Sequence, residues 1–485
     1  MPGPAVFRTA ASVAVITALV ASCSLTPDYQ RPPAPVAGQF RNAAGGGVQL
    51  AAPTTEWWKG FGCDELNGLV ARALANNEDL KAAAQRVIQA QQVARQAEAS
   101  LLPTLGLTGG ETITAPSGGI GTAQWTGQSV QQLRTWQAGL KVSYELDLWG
   151  KNAASADSAI ANAEANEFDR NAVTLSLIGD VVTNYLTILA IRDVTVIAET
   201  ARDNAKSALS AIEARASIHE ATQIELSQQR STVARTESQV VSYRLQLEQT
   251  QAKLSILLGV SPSEPLGLVN TSMSAVQVPR IASGLPSDLL LRRPDIAKVE
   301  AMLRSANANI GVARAQFLPS LSLNGDGGRG AFSLASLLSP QALYYNLATS
   351  LTQMIFDGGR LKAQEKQAEA RYQELVHTYS GTVLNALLEV ETSLAADTLL
   401  DEQEKADLDQ VKNSVEAYTL SRAAFDAGRL EYQTLLETQR TKLTSENSAA
   451  LTRLARLRNS VALFKALGGD TSTPVEDPAK GKAGG

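Results

Sequence analysis

Apolar residues in the C-terminal part of the chain repeat at a helical spacing over an unusually long stretch, from Arg360 to Leu467. Their positions advance mainly in alternating steps of four and three: Val383, Leu387, Val390, Leu394, Leu408, Val411, Val415, Tyr418 and Phe425. A heptad pattern of this kind predicts a coiled-coil seam. Asp397, Asp401 and Glu404 share its register, so we expect the seam to be polar there, and either shifted or open to water. We therefore predict one long helical hairpin that turns near Gly428.

The chain carries a second pattern of this type from Lys151 to Gly259. The two patterns are 209 residues apart, and three positions of the first recur in the second: Leu254, Leu258 and Gly259 as Leu463, Leu467 and Gly468. The second leg of the first pattern also keeps a strict step of seven: Leu226, Val233, Val240, Leu247 and Leu254. No proline, the residue that most surely breaks a helix, occurs between Pro116 and Pro262 or between Pro340 and Pro474. Each first leg, of about 65 residues, predicts a helix roughly 100 Å long.

The periodicity changes from helical to two before each helical hairpin. Seven apolar residues alternate with six polar or small ones: Trp136, Ala138, Leu140, Val142, Tyr144, Leu146 and Leu148 with Gln137, Gly139, Lys141, Ser143, Glu145 and Asp147. This alternation predicts a strand with lipid or core on one side and water on the other. A preceding strand near 104–114 and a loop around Ser117 to Gly121 complete a β-hairpin over about residues 104–149.

The same plan recurs 216 residues later, where four residues repeat: Asp79, Ala97, Leu102 and Pro103 as Asp295, Ala313, Leu318 and Pro319. We predict a second β-hairpin over about residues 320–356, with a strand near Leu321, a Gly-rich loop from Gly325 to Gly330 and a strand through Leu343 to Leu351. Aromatic residues on the strands or at their ends are typical of an interfacial girdle: Trp136, Tyr144, Trp149, Tyr344, Tyr345 and Phe356. A sandwich core is the alternative, but each β-hairpin is flanked by long helices rather than by more strands.

Four strands cannot close a membrane barrel, and an open sheet edge is not tolerated in lipid. Closure must therefore come from other copies, which predicts a cyclic oligomer with four strands and a set of long helices from each chain. The fold class is mainly α with membrane β, built on an internal two-fold structural repeat.

The N-terminal segment has the features of an export signal. A single positive charge, Arg8, precedes the apolar run Ala10–Ala21, which is too short to span a bilayer. The run ends in Val20-Ala21-Ser22-Cys23, which looks like a bacterial lipobox and makes Cys23 the acylated first residue of the mature protein. Plain secretory cleavage near Ala21 with an idle cysteine is the alternative. Ser24, rather than an aspartate, fits sorting to the outer membrane.

The order of these patterns divides the chain into six segments. We predict a signal peptide over 1–22, a lipidated strap over 23–60, a first repeat over 61–260, an equatorial linker over 261–285, a second repeat over 286–468 and a flexible tail over 469–485. The first repeat contains the long helical hairpin 151–259, and the second contains the hairpin 360–467.

Composition excludes several classes of function. The net charge is −5, aromatic residues make up 5% and no basic cluster is present, which argues against nucleic acid. The chain has two histidines and two cysteines: His219, His377, Cys23 and Cys63. Metal and nucleophilic chemistry is therefore poorly supplied. Asp401 and Glu404 lie at helical spacing among many charges, as on a solvated helix face, and not as an acid–base pair. We expect no enzyme, no metal site and no cofactor beyond a covalent lipid on Cys23.

Several short motifs, in order over nearly the whole chain, resemble those of the TolC-like outer membrane factor family, in its lipoprotein (NodT-type) branch. They are Pro27-Asp28-Tyr29 and Arg31-Pro32 after the lipobox, Trp57-Trp58 before Leu66, Leu69 and Asn76, Leu102-Pro103, Leu146 to Gly150, Leu290 to Asp295, Phe317-Leu318-Pro319, Phe356 to Gly359 and Leu467-Gly468-Gly469.

The resemblance implies a homotrimer with a 12-stranded β-barrel in the outer membrane, continued into the periplasm by an α-barrel of coiled-coil pairs. It implies a channel of a tripartite efflux system that exports drugs or other small toxic compounds. The implied partners are a periplasmic adaptor (membrane fusion) protein and an inner-membrane pump, of resistance-nodulation-division type. Heavy-metal efflux and type I protein secretion are alternative roles for such a channel. A periplasmic adaptor is less favoured, because adaptors carry one hairpin between lipoyl-like and small β-barrel domains.

The resemblance also places a periplasmic gate at the hairpin tips, just after a glycine turn. Here the turns are His219, where a glycine is usual, and Gly428. The implied gate residues are Glu225, Gln433, Thr434 and Glu437, of which Glu437 would supply a ring of carboxylates. Such a ring in a narrow water-filled throat favours cations. A solvated helix face is the alternative for each of these residues.

Overall fold

The structure, a computed structural model, describes residues 25–34, 40–41, 56–114, 133–269, 271–279 and 292–469. The predicted signal peptide, Cys23, the loop around Ser117 to Gly121 and the tail beyond Gly469 lie outside these residues. The α-helices of the described ranges are α1 Asp64–Asn76, α2 Glu78–Ala99, α3 Lys151–Ser217, α4 Gln223–Leu257, α5 Pro294–Ala315, α6 Arg360–Asp426 and α7 Tyr432–Ala466. The strands are β1 Thr104–Thr114, β2 Leu133–Leu146, β3 Ser320–Ala331 and β4 Leu343–Thr352.

The predicted internal repeat is confirmed in the lengths of the helices. Helices α3 and α6 have 67 residues each, and α4 and α7 have 35 each. Their bounds differ by 209 residues throughout, so no insertion separates the two long hairpins. Helices α2 and α5 have 22 residues each and are offset by 216. The difference between the two offsets lies between the hairpins, in the linker segment.

The four strands form one antiparallel sheet in the order β1-β2-β3-β4. Thr104 pairs with Ser143, Leu146 with Leu321, and Ser320 with Thr352. The two predicted β-hairpins are therefore joined side by side through β2 and β3. Sheet order leaves one side of β1 and one side of β4 without a partner strand in this chain.

The prediction of a loop from Gly325 to Gly330 is wrong, because these residues belong to β3. Glycine is a poor strand residue, but here two backbones approach too closely for side chains. A Cβ atom on Gly139 would lie 2.5 Å from the carbonyl oxygen of Gly327, and one on Gly328 would lie 2.3 Å from that of Ala138. The glycines are therefore what permits pairing of β2 with β3.

The chain forms two compact units. The first comprises Met1–Pro32, Val87–Asn166 and Val299–Thr378 and contains the sheet. Within it, the start of α3 packs on α5 through small residues, and the hydroxyls of Ser158 and Ser305 lie 2.9 Å apart.

The second unit comprises Pro33–Arg86, Glu167–Lys298 and Tyr379–Gly485 and contains the main apolar core. The Trp57-Trp58 pair lies in this core, and the Trp57 ring stacks on Phe464 of α7 at 4.8 Å. Helix α3 includes an 18-residue window apolar enough to cross a membrane, but 67% of that window is buried inside the protein. Its apolar run therefore supplies this core.

The heptad seam of α6 is confirmed in its first block and wrong in part of its second. Val383 and Val390 are buried, but Leu408 is 55% exposed. Glu404, at the polar interruption, is only 8% exposed because its carboxylate pairs with Arg453 at 3.1 Å and Arg456 at 2.6 Å on α7. The seam there is neither shifted nor open to water: it is polar and internally neutralised.

Candidate functional site

One face of the sheet is an exposed apolar surface. Directly paired residues of an antiparallel sheet point to the same side, so the register assigns each residue to a face. This face carries Leu105, Leu107, Trp136, Leu140, Val142, Tyr144, Leu321, Leu323, Tyr345, Leu347 and Leu351. Leu107 is 83% exposed and Leu347 is 82% exposed. Soluble monomers rarely expose an apolar patch of this extent, so the face requires lipid or another apolar cover.

The opposite face is polar. It carries Thr104, Thr108, Gln137, Lys141, Ser143, Glu145, Ser322, Asn324, Asp326, Asn346 and Ser350. Ser143 donates a hydrogen bond to the Asn324 side chain at 2.8 Å, and Asn346 donates one to Asp326 at 3.1 Å. Tyr344, one of the predicted girdle aromatics, pairs with Gly328 and lies on this polar face, so it cannot contribute to a lipid-side girdle. A sheet with one apolar and one polar face separates lipid from water.

The second candidate site is at the tips of the two long hairpins, where both predicted turns are confirmed. His219 has a φ of 63° and Gly428 has a φ of 67°. In each turn the next residue donates a backbone hydrogen bond of 2.8 Å to the last turn of the helix, from Glu220 to Arg215 and from Arg429 to Ala424. This is the Schellman geometry, which needs a left-handed residue. His219 therefore takes a backbone conformation that glycine adopts more readily.

Glu225 caps the helix that it begins. Its carboxylate accepts from the Thr222 backbone N–H at 2.6 Å, and its own N–H donates to the Thr222 hydroxyl at 3.2 Å. Together these bonds form a capping box at the start of α4. In α7 the two residue types are exchanged, with Glu431 at the N-cap and Thr434 three residues later, and the N-cap side chain makes no capping bond. The two predicted gate positions Glu225 and Thr434 are thus equivalent in the repeat.

The two hairpins are joined near their tips by a buried polar contact. Tyr432 of α7 donates a hydrogen bond from its hydroxyl to the side-chain carbonyl of Gln229 on α4. The amide of Gln229, which is fully buried, donates to the Ala205 carbonyl at 2.6 Å. Burial, and then the nearby carboxylate of Glu225, raise the pKa of the Tyr432 phenol, so it stays protonated and can donate. The Arg215 guanidinium lies 5.4 Å from the centre of the Phe425 ring and adds a cation–π contact between the hairpins.

Gln433 and Glu437, but not Thr434 or Glu225, line a groove of about 480 Å³ between α4 and α7. Its other polar lining residues are Ser227, Gln228, Ser231, Thr232, Arg235, Thr236, Gln439 and Arg440. The Glu437 carboxylate pairs with the Arg440 guanidinium at 2.7 Å. Glu437 therefore does not stand as an isolated negative charge in this chain.

Sequence analysis did not identify Thr222, Gln229, Tyr432 or Arg440 at the tips. Two of these had a readable signal: the Thr-x-x-Glu spacing of 222–225 is that of a capping box, and Glu437 and Arg440 are three residues apart on one helix. Gln229 and Tyr432 had none, because their contact joins residues 203 positions apart.

The N-terminal strap is docked along α5 in the part that the structure describes. The carbonyl of Pro27 accepts from the Asn307 side chain at 2.6 Å, and Arg31 pairs with Glu300 at 2.8 Å. A Cβ atom on Gly311 would lie 2.0 Å from the Thr26 hydroxyl oxygen. The strap therefore runs antiparallel to the helix and fits against a glycine.

A search of the described residues finds no group of three or more His, Cys, Asp or Glu side chains that could hold a metal ion. Cys63 is half-buried, and its sulfur lies 3.2 Å from the Tyr185 hydroxyl.

Comparison with known proteins agrees with this geometry. The family model described as "Outer membrane efflux protein" matches residues 69–260 and 285–469. The pyoverdine export outer membrane protein OpmQ of Pseudomonas putida is 39% identical over 86% of this chain and 89% of its own length. The cation efflux system protein CusC of Escherichia coli K12 is 30% identical over 92% and 96%. The crystal structure of the Campylobacter jejuni CmeC outer membrane channel matches with a TM-score of 0.85 at 26% identity, over 95% of this chain and 97% of that one.

These matches cover both repeats, the sheet and both helical hairpins, and they agree with the exposed apolar face of the sheet. The relatives are transport proteins of the outer membrane. The chain belongs to the outer membrane efflux protein family and is an outer membrane channel of an efflux system.

Proposed function

We propose that three copies of this channel close their sheets into one 12-stranded barrel. The observation that carries the proposal is the four-stranded sheet with an unpaired side on β1 and on β4, an apolar face and a polar face. An unpaired edge in lipid leaves backbone N–H and C=O groups without partners, at several kcal/mol for each group. Pairing β4 of one copy with β1 of the next removes every edge and puts the polar faces on the inside.

Light scattering of the detergent-extracted protein tests this assembly. The expected particle mass, after subtraction of detergent, is three times that of the mature chain, and planar bilayers containing it should show stepwise conductance. A stable monomer without conductance would contradict the proposal.

We propose further that the long hairpins connect the channel to a periplasmic adaptor and an inner-membrane pump, of resistance-nodulation-division type, and that the assembly has no enzymatic step. Helices of 67 residues, roughly 100 Å long, support a periplasmic reach of this size. Photo-crosslinkers placed at Ile218 and Ile224, exposed beside the first turn, should capture an adaptor in cells. Crosslinkers at Leu105 in β1 are the control, because that residue lies on the apolar face of the sheet and should capture none.

The hairpin tips are the proposed gate, with Gln433 and Glu437 as the residues that face the entrance. Their joint position in one groove with residues of α4 supports this assignment. Because Arg440 pairs with Glu437, the gate is not a simple carboxylate ring. Replacing Arg440 by Gln should increase block by divalent cations in planar bilayers, and replacing Glu437 by Gln should decrease it. Block that both variants leave unchanged would remove the pair from the gate.

The mature protein is proposed to carry a lipid on Cys23, in the inner leaflet of the outer membrane. The docked strap supports this, because Thr26 is already held on α5 only three residues after the cysteine. Mass spectrometry of the N-terminal peptide should show a diacylglyceryl thioether on Cys23, and an unmodified cysteine would contradict it. No other cofactor is part of the proposal.

For the cargo, we infer small molecules of the kind exported with siderophores ahead of metal ions and drugs. The support is relative similarity: 39% identity to a pyoverdine exporter against 30% to a cation efflux protein. Deletion of the gene should cause an endogenous siderophore to accumulate in the periplasm, with little change in sensitivity to copper or silver. Altered sensitivity to drugs alone would favour the broader drug-efflux role.

A further inference from the structure

One transverse row of the sheet carries a pair of opposite charges on the polar face. The register aligns Gly106, Lys141, Asp326 and Asn346 across β1, β2, β3 and β4. The Asp326 carboxylate accepts from the Asn346 amide at 3.1 Å. Lys141 is exposed on the polar face. Lys141 and Asp326 are directly opposite each other, so one positive and one negative charge lie at the same level of the wall.

The surroundings of this pair are bare. Gly106 lies beside Lys141 on β1, and the next polar-face positions along β2 and β3 are Gly139 and Gly328. Glycines at these positions leave no side chain that could cover the two charged groups. Lys141 and Asp326 are therefore the prominent features of the polar face at this level.

Among the described strand residues, the polar face has one further charge, Glu145. Its carboxylate pairs with Lys151, the first residue of α3, at 2.5 Å. The other charged strand residues, Glu111, Arg134 and Arg329, fall on the apolar face by register. The charge balance of the polar face thus depends on Lys141 and Asp326 alone.

We propose that Lys141 and Asp326 form a charge-balanced band on the water-facing wall of the channel, which sets its preference between cations and anions. The proposal rests on the trimeric barrel described above. Twelve strands about 4.8 Å apart and tilted by about 40° give a wall roughly 12 Å from the axis. Three copies place three ammonium and three carboxylate groups at one level, and their fields cancel towards the axis.

Removing one sign unbalances the ring. Screening lengths are about 30 Å at 0.01 M salt and about 3 Å at 1 M, so the unbalanced field reaches the axis only at low salt. Replacement of Lys141 by Gln leaves three carboxylates and favours cations, whereas replacement of Asp326 by Asn leaves three ammonium groups and favours anions. The cation-to-anion permeability ratio should change by about threefold in opposite directions at low salt.

Reversal potentials of single trimers in planar bilayers under a salt gradient test this directly. The variants are Lys141→Gln, Asp326→Asn and the double variant, which should return to the wild-type ratio. Glu111→Gln is the matched control, because it removes a charge from the same sheet on the apolar face. Equal ratios in all four variants, or shifts of one sign for both single variants, would overturn the proposal.

A labelling experiment separates this inference from the barrel on which it rests. Lys141→Cys and Leu140→Cys, each in a Cys63→Ser background, are treated in membranes with a water-soluble maleimide. Labelling of the first and protection of the second support the orientation of the faces. If wild-type protein gives no conductance and both cysteines react alike, the trimeric barrel itself is wrong. Normal conductance and the expected labelling without opposite shifts would reject the band alone.

Discussion

Asn77 and Arg293 lie 216 residues apart and make the same contact in the two halves of the protein. The Asn77 side chain donates to the Leu257 carbonyl at 3.1 Å, and the Arg293 guanidinium donates to the Ala466 carbonyl at 2.9 Å. Each acceptor is in the last turn of a long return helix, where carbonyls lack a partner within the helix. The internal repeat thus extends from helix lengths to individual hydrogen bonds, although the two donors differ in chemistry.

Replacing Asn77 by Ala should loosen the end of α4. The side chain also accepts from the Leu80 N–H at 2.9 Å, so the substitution removes a helix cap and the partner of a buried carbonyl, at about 2 kcal/mol in total. Hydrogen exchange of the amides near Leu257 should become faster. Asn77→Asp is the control: it keeps the cap acceptor but not the donor, so exchange at the start of α2 should stay slow. Equal protection at both helix ends in all three proteins would contradict this.

His219→Gly should stabilise the tip of the first hairpin. The residue adopts a left-handed backbone conformation that glycine occupies without strain, worth about 1 kcal/mol. We expect slower proteolysis at residues 217–222 in the variant. Gly428→Ala in the second turn is the converse control and should accelerate cleavage there. A faster-cut His219→Gly tip would show that the imidazole makes a stabilising contact instead.

The capping and gating roles of Glu225 can be separated. Thr222→Ala removes the hydroxyl of the capping box but no charge, and should lower the stability of the first turn of α4 by about 1 kcal/mol. Glu225→Gln keeps the hydrogen-bonding shape and removes the charge. If Glu225 also acts at the gate, only Glu225→Gln should alter cation block in bilayers, whereas hydrogen exchange at the helix start should respond mainly to Thr222→Ala. Unchanged block in Glu225→Gln would leave the residue a helix cap alone.

Gly311→Ala should displace the N-terminal strap, because the added methyl group would lie 2.0 Å from the Thr26 hydroxyl oxygen. We expect cleavage of the strap by added protease to increase severalfold, while α5 itself gains up to about 1 kcal/mol of helix propensity. Gly381→Ala on α6 has open space around it and controls for propensity alone. A strap that is equally protected in both variants would mean that Thr26 can rotate away without undocking.

Glu404→Gln should weaken the packing of α6 on α7. The change leaves Arg453 and Arg456 without their shared carboxylate in a part-buried site, at about 2 to 3 kcal/mol. The midpoint of thermal unfolding should fall, whereas Glu402→Gln on the exposed side of the same helix should leave it unchanged. A fall of the same size in both variants would contradict a specific role for the buried pair.

Much of this fold is predictable because two strong periodicities carry it. The long hairpins, the turn at Gly428 and the amphipathic strand through Leu140 and Val142 all follow from local patterns, and the structure confirms each. The strand through Gly325 to Gly330 was not predictable in this way, because its glycines are explained by the backbone of β2 and not by their own preferences. Pairing between distant strands decides such cases, and periodicity within one segment does not report it.

The polar contacts of the seam and the tips were also beyond local patterns. Glu404 looks like a surface residue until Arg453 and Arg456, about 50 positions later, are brought beside it. Tyr432 and Gln229 meet only because the two hairpins pack against each other. The capping box at Thr222 and Glu225 is the exception, since its spacing is readable from the sequence alone.

The matched leg lengths restrict how this molecule can be resized. Excising seven residues from one leg alone would draw one tip back by about 10 Å relative to the other and pull Leu226 away from Tyr432, its neighbour in the tip cluster. Only a coordinated excision, one heptad from each of the four legs, would keep both tips level and both seams in phase. We therefore expect length variants of this architecture to arise in paired steps of seven residues, with unpaired ones eliminated as misassembled tips.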